Sequence, residues 1–311
     1  MKVCFVSHHF ADPEALLKTI VKMTPGRSGK WKDMEAVLDP FEADFVILVD
    51  GHSHIKIPEK RALYFNQHPK GVGAYKTLAD KPFALATYPA DNNLNLGEWW
   101  ISYDYDFLST LQPPTKSKNL ISITTYHIER NKPTYQHRIA FLEEYVQLSK
   151  DIDIYGRQED RFRANPIFKD TYRGVAGYGV NCDYRAGEHI IGKDIEIDYR
   201  YALDFDHGRM GDGLPVKHYF SERFYDSMLL WTMPLYFGSD NADVYLPKHS
   251  FRYVNIVPNG VITLKSEVQK AIDIVNSDFR EKHLSDMAEA RHLLLNKYQL
   301  WPYVYEAIKR L

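Results

Sequence analysis

YRYALDFDHGRMGDGLPVKHYFSERFYDSMLLWTMPLYFGSDNADVYLPKHSFRYV, residues 199–254, is the stretch that decides the fold. An apolar run at Tyr201–Phe205 predicts a strand, and a polar loop leads from it to Ser221-Glu222-Arg223. An apolar helix is expected next, then a strand at Pro234–Gly238, a loop ending in Leu246-Pro247 and a third strand from about Phe251. Strands that alternate with a helix in this way build parallel sheets. A loop that opens into a helix start also favours anions, because the first N–H groups are unpaired and the helix dipole is positive there. Arg223, in the first turn, adds a permanent positive charge suited to phosphate.

Outward from this stretch the alternation continues. Lys2–Ser7, Asp44–Val49, Arg61–Phe65, Phe83–Tyr88 and Trp99–Tyr103 read as strands, with a helix from about Asp12-Pro13 after the first. Continuous apolar runs of this kind suit strands buried on both faces. Leu111–Lys118 carries Pro113-Pro114 among polar residues and reads as a linker. A second series follows: strand Asn119–Thr125, helix Pro133–Ser149, strand Asp153–Gly156, a glycine-rich loop at Gly174–Gly192, strands Asp198–Phe205, Pro234–Gly238 and Arg252–Val257, and helices from Lys265 onward. The expectation is an α/β protein of two Rossmann-like domains facing a cleft, residues 1–115 and 116–311, the second ending in helices.

Composition narrows the partners. The chain has 39 basic and 41 acidic residues and no long basic run, which argues against nucleic acid. Two cysteines, Cys4 and Cys182, make neither a disulfide framework nor a zinc pattern. No stretch reads as a signal peptide or membrane span, so a cytoplasmic protein with at most peripheral membrane association is expected. Tyrosine is abundant, with 22 copies, which fits both packing and sugar-binding surfaces. A nicotinamide dehydrogenase is disfavoured because Ser7-His8-His9-Phe10-Ala11-Asp12 holds no GxGxxG after the first strand.

The ordered set Phe205-Asp206-His207, Tyr219-Phe220-Ser221-Glu222-Arg223, Met233-Pro234-Leu235-Tyr236-Phe237-Gly238 and Pro247-Lys248-His249-Ser250-Phe251-Arg252-Tyr253-Val254 resembles the inverting α-1,3-fucosyltransferase family. The resemblance is firm over roughly 60 residues and implies a GT-B fold, with the acceptor held by the first domain and a nucleotide-sugar by the second. It implies GDP-fucose as donor, a glycan hydroxyl as acceptor, and no cofactor or metal, since helix dipoles and cations take up the leaving charge. By the same resemblance Glu222 holds the ribose, Arg223 and Arg138 hold the diphosphate, and Tyr219, Ser221 and Asp206 line the donor site. Arg138 competes with Arg130 for its role, and Arg223 stands where the family has Lys.

Asp204 and Asp206 read as pointing to opposite faces of their strand, which weakens a metal-binding DxD reading. The general base is open. Gln67 stands where the family has Glu, and an amide cannot take a proton. The alternatives are His68, His8, His9 and Asp50, each placed after an apolar strand. Trp99-Trp100 and Tyr103-Asp104-Tyr105-Asp106 fit either sugar stacking or plain packing, and the basic aromatic tail around Trp301 and Tyr303 fits a packed helix better than a membrane contact. Two rivals stand beside the fucosyl reading: a transferase of the same fold with another donor, and a silent binder of nucleotide-sugar or glycan.

Overall fold

The computed structural model describes residues 1–7, 10, 12–49, 56–58, 62–65, 85–87, 101–126, 133–176, 193–206, 220–257 and 263–310. The chain divides into two compact units, one of residues 1–110, 218–222 and 293–311, the other of residues 111–217 and 223–292. The first crossing, between residues 110 and 111, lies at the start of the proline-containing segment and five residues before the expected boundary at 115 and 116.

In the first unit, β1 (Lys2–Ser7) is buried from its second residue onward. It pairs in parallel with β3 (Met34–Ala36) on one side and β4 (Phe45–Val49) on the other. The sheet continues in parallel through β5 (Ala62–Phe65) and β6 (Leu85–Thr87). A short antiparallel strand, β2 (Lys30–Trp31), closes the other edge against β3. Helix α1 (Pro13–Val21) starts where the sequence provides a cap: Asp12 accepts from the Glu14 amide at 2.9 Å, and Pro13 occupies the first turn.

Residues 101–103 are not a strand, contrary to the expectation for Trp99–Tyr103. Ile101 and Ser102 are buried and irregular, and Asp104 accepts from the Asp106 amide at 2.9 Å to open helix α2 (Tyr105–Thr110). The local turn chemistry outweighs an aromatic alternation that resembled a strand.

The tail also departs from expectation, because Leu293–Leu311 belongs to the first unit rather than the second. Helix α9 (Leu300–Lys309) buries Trp301 completely. The Trp301 indole donates to the Ile20 carbonyl at 2.9 Å, and the Gln299 amide donates to the Met23 carbonyl at 3.0 Å. This helix has a packing role, and among the described residues no helix is long and apolar enough to cross a membrane.

The second unit is a six-stranded, all-parallel sheet. Its strands are β7 (Lys118–Ile123), β8 (Asp153–Tyr155), β9 (Tyr172–Gly174), β10 (Tyr199–Phe205), β11 (Met233–Phe237) and β12 (Arg252–Tyr253). The spatial order is β9-β8-β7-β10-β11-β12. Counted from β7 this is 3-2-1-4-5-6, the doubly wound Rossmann order. Helices α3 (Pro133–Leu148), α4 (Glu159–Ala164), α5 (Glu222–Leu229), α6 (Leu264–Val275), α7 (Phe279–Lys282) and α8 (Leu284–Leu293) follow the strands. Strand β9 enters the stretch read as a glycine-rich loop, and β12 is shorter than expected.

Candidate functional site

In a sheet of order 3-2-1-4-5-6 the chain reverses direction between the first and fourth strands, and the gap beyond their carboxyl ends is where such folds bind ligands. Here those strands are β7 and β10, paired through Tyr201 with Leu120 and Ala202 with Ile121. The carboxyl end of β7 is rich in hydroxyls: Ser122, Thr124 and Thr125 are all buried. Among the described residues, the side-chain hydroxyls of Ser122 and Thr124 have no hydrogen-bond partner.

The backbone at this edge is fixed. The Thr124 amide donates to the Tyr155 carbonyl at 2.9 Å. Gly156 lets the strand ends approach, since a Cβ there would sit 1.5 Å from the Thr124 carbonyl oxygen. Tyr126 packs edge-on against Phe162, ring centres 5.0 Å apart.

Of the two expected cations, one is bonded to this edge and the other is buried in the helix that follows β7. Arg223, half-buried in the first turn of α5, donates from Nη1 to the carbonyl of Ile123, the last residue of β7, at 3.0 Å. Arg138, in α3 just after β7, is fully buried, with its guanidinium 4.7 Å from the Tyr135 ring centre. A guanidinium keeps its charge even when buried, so Arg138 brings a fixed positive charge to the interior. Burial holds the neighbouring His137 below its ordinary pKa, which favours the neutral ring beside that charge.

The acidic residues are arranged differently from the sequence reading. Residues two apart on a strand share a face, so the opposite-face reading of Asp204 and Asp206 fails on the period of two. Both side chains are buried. Asp206 accepts from the Tyr236 hydroxyl at 2.6 Å, and its own amide continues the ladder to the Phe237 carbonyl at 2.8 Å. That hydroxyl in turn accepts from the Ser239 amide at 2.9 Å. Burial, then the Asp206 carboxylate, hold the Tyr236 phenol well above its ordinary pKa. Gly238 completes the arrangement: a Cβ there would meet the Tyr236 oxygen at 2.0 Å. One function of Asp206 is thus to lock β10 to β11. Among the described residues, no three His, Cys, Asp or Glu side chains form a group that could hold a metal.

The far end of α5 holds three cations that sequence reasoning missed. The helix closes with the Thr232 amide on the Ser227 carbonyl at 2.9 Å and the Trp231 amide on the Met228 carbonyl at 3.1 Å. This Schellman pattern needs a left-handed residue, and Trp231 supplies it at φ +61° where glycine is usual. The conformation costs a non-glycine residue about 1–2 kcal/mol.

The carbonyls exposed by the closure are each taken by a cation. Arg291 donates to Leu229 at 2.9 Å, Lys116 to Leu230 at 2.9 Å, and Arg280 to Trp231 at 3.0 and 3.1 Å. Arg291 also stacks 4.3 Å over the Trp231 ring. Positive charge at a helix C-terminus is favourable, and these groups also satisfy orphan carbonyls. No sequence motif links residues so far apart.

Of the other expected site residues, Ser221 is buried directly before α5, and Glu222 is its half-buried first residue. Tyr219, His8, His9, Asp50, Gln67, His68, Arg130, Trp99 and Trp100 lie outside the described residues.

No family model matches the chain, and no curated protein matches it. Solved structures do. An α1,3-fucosyltransferase with GDP-fucose matches over 94% of this chain and 82% of its own, at 14% identity and a TM-score of 0.49. A glycosyltransferase from Rickettsia africae matches over 99% of this chain and 97% of its own, at 11% identity and a TM-score of 0.49. S. aureus MnaA with UDP matches over 99% of this chain and 95% of its own, at 12% identity and a TM-score of 0.46.

Proposed function

We propose that the chain is an inverting glycosyltransferase that takes a nucleotide-sugar donor, GDP-fucose by its sequence resemblance, and a glycan hydroxyl as acceptor. The observation that carries this reading is the docking of Arg223 on the last carbonyl of β7, at the reversal point of a Rossmann-ordered sheet. That position suits a nucleoside diphosphate, because cations and unpaired helix amides there match its charge.

In the reaction, the acceptor oxygen attacks C1 of the sugar as the bond from C1 to the phosphate oxygen breaks. The acceptor proton passes to a base, and the nucleoside diphosphate departs with its charge neutralised by Arg138 and Arg223. Glu222 accepts from the ribose hydroxyls, with Tyr219, Ser221 and Asp206 around the donor. His8, His9, Asp50 and His68 are the base candidates. The first three follow β1 and β4, which are neighbours in the first sheet.

A thermal-shift panel of GDP, UDP, ADP and CMP tests the reading, with the cognate diphosphate expected to raise Tm selectively. Release of GDP from GDP-fucose in the presence of acceptor then separates an enzyme from a silent binder. If UDP stabilises and GDP does not, a donor other than GDP-fucose is indicated. A panel with no response sinks the transferase reading.

A further inference from the structure

Helix α5 is held from both ends. At its start Arg223 reaches the Ile123 carbonyl, and at its end three cations grip three successive carbonyls, Leu229, Leu230 and Trp231. The gripping groups come from separate parts of the unit: Lys116 from the segment before β7, Arg280 from α7 and Arg291 from α8. Lys116 also donates to the Ile197 carbonyl at 2.8 Å and to the Thr232 hydroxyl at 3.0 Å, which ties the same helix end to β10 through the turn before it. A second tie comes from Ser227, whose hydroxyl donates to the Glu196 carboxylate at 2.9 Å. A cap alone needs one or two donors at a helix end. This end has three cations on consecutive carbonyls, Arg280 and Arg291 buried and Lys116 half-buried, and a bulky residue held in the left-handed region. Such strain persists only where its surroundings over-determine it.

We propose that Lys116, Arg280 and Arg291 are positioning residues that fix the axial register of α5, and so the placement of Arg223 at the carboxyl end of β7. The helix is eight residues long, about two turns, so a shift at one end is carried to the other with little loss. The cations act through the helix and have no contact with the diphosphate assigned to Arg223. The link to donor binding rests on the transferase reading, whereas the register of the helix does not.

Hydrogen exchange by mass spectrometry on the full chain tests the register directly, comparing wild type with Arg291→Met. Exchange should quicken about tenfold in peptides covering residues 228–232, next to the lost contact, and also in peptides covering 222–226 at the far end. Peptides from β10 and β11 should be unchanged. Acceleration confined to 228–232 would reduce the cations to a local cap and overturn the proposal. If Arg291→Met does not fold, Arg291→Lys, which keeps one donor but loses the fork and the stack on Trp231, gives the same comparison at smaller amplitude.

A second readout uses GDP and UDP. Arg291→Met should weaken the cognate nucleotide about tenfold in the wild-type background and have little further effect in Arg223→Ala. Equal losses in both backgrounds would also overturn the proposal. If the wild type binds neither nucleotide while exchange at 222–226 still quickens, the positioning stands and the transferase reading falls.

Discussion

Lys116 should make folding stability rise with pH across the neutral range. It is half-buried near Arg280 and Arg291, and partial burial first, then Arg280, push its pKa from the ordinary 10.5 down to about 7. Glu196 and Asp198 oppose that shift in part. The unfolded chain therefore binds a proton that the folded chain releases, so stability increases from about pH 7 upward and levels off only near the unfolded pKa. Between about pH 7 and about 8.5 the gain is on the order of 1–2 kcal/mol.

Above that window Cys4 acts in the opposite sense. Burial pushes its thiol up to about 12, so the unfolded chain loses the thiol proton first and stability falls. Urea unfolding at several pH values, with the m-value held common, gives the profile. Lys116→Met should flatten it over the same window, whatever its absolute stability. A rise of equal size in the variant would assign the effect elsewhere. A flat wild type would show that the three oxygens accepting from Lys116 hold its charge against burial.

Arg223→Ala should weaken binding of the cognate nucleoside diphosphate by about 1.5–3 kcal/mol in titration calorimetry, the range for a hydrogen bond to a charged group; unchanged affinity removes Arg223 from the site. Arg138→Met should lower the same affinity about 10- to 100-fold while Arg138→Lys recovers part of it, and equal affinity in all three proteins would make Arg138 purely structural. Gly238→Ala should cost about 1–3 kcal/mol in urea unfolding, because the new Cβ meets the Tyr236 ring and hydroxyl together. Tyr236→Phe should not rescue it, since ring carbon Cζ already lies 2.2 Å from the Cβ position, and a rescue would show that the hydroxyl alone sets the clash.

Much of the architecture could be read before any coordinates. Strand β1 matches its apolar run residue for residue, and β4, β7, β10 and β11 fall within a residue or two of their expected bounds, because strands buried on both faces leave uninterrupted apolar runs. The hairpin strand β2 and the short strand β9 left no such trace, with two and three residues each. Periodicity identified the helical tail but could not say what it packs on, since a helix's apolar stripe does not name its partner. The places of Arg223 in the first turn of α5 and of Arg138 in the helix after β7 were legible, whereas their roles came from the family resemblance alone. The tie between Asp206 and Tyr236 and the cation grip on α5 were not legible, because both join residues brought together only by the sheet order.

The return of residues 293–311 to the first unit bears on synthesis at the ribosome. Trp301 and Leu300 are wholly buried there, so the surface they cover lacks its lid until residues 293–311 have emerged. At typical elongation rates, the interval between translating residue 110 and residue 299 is roughly 10–40 s. Residues 1–110 are thus sealed only after residues 111–292 have been made, and the second unit can close before the first. Nascent chains arrested short of residue 293 should be cut readily within residues 1–110 by a probing protease, and resistance there would contradict this order of completion.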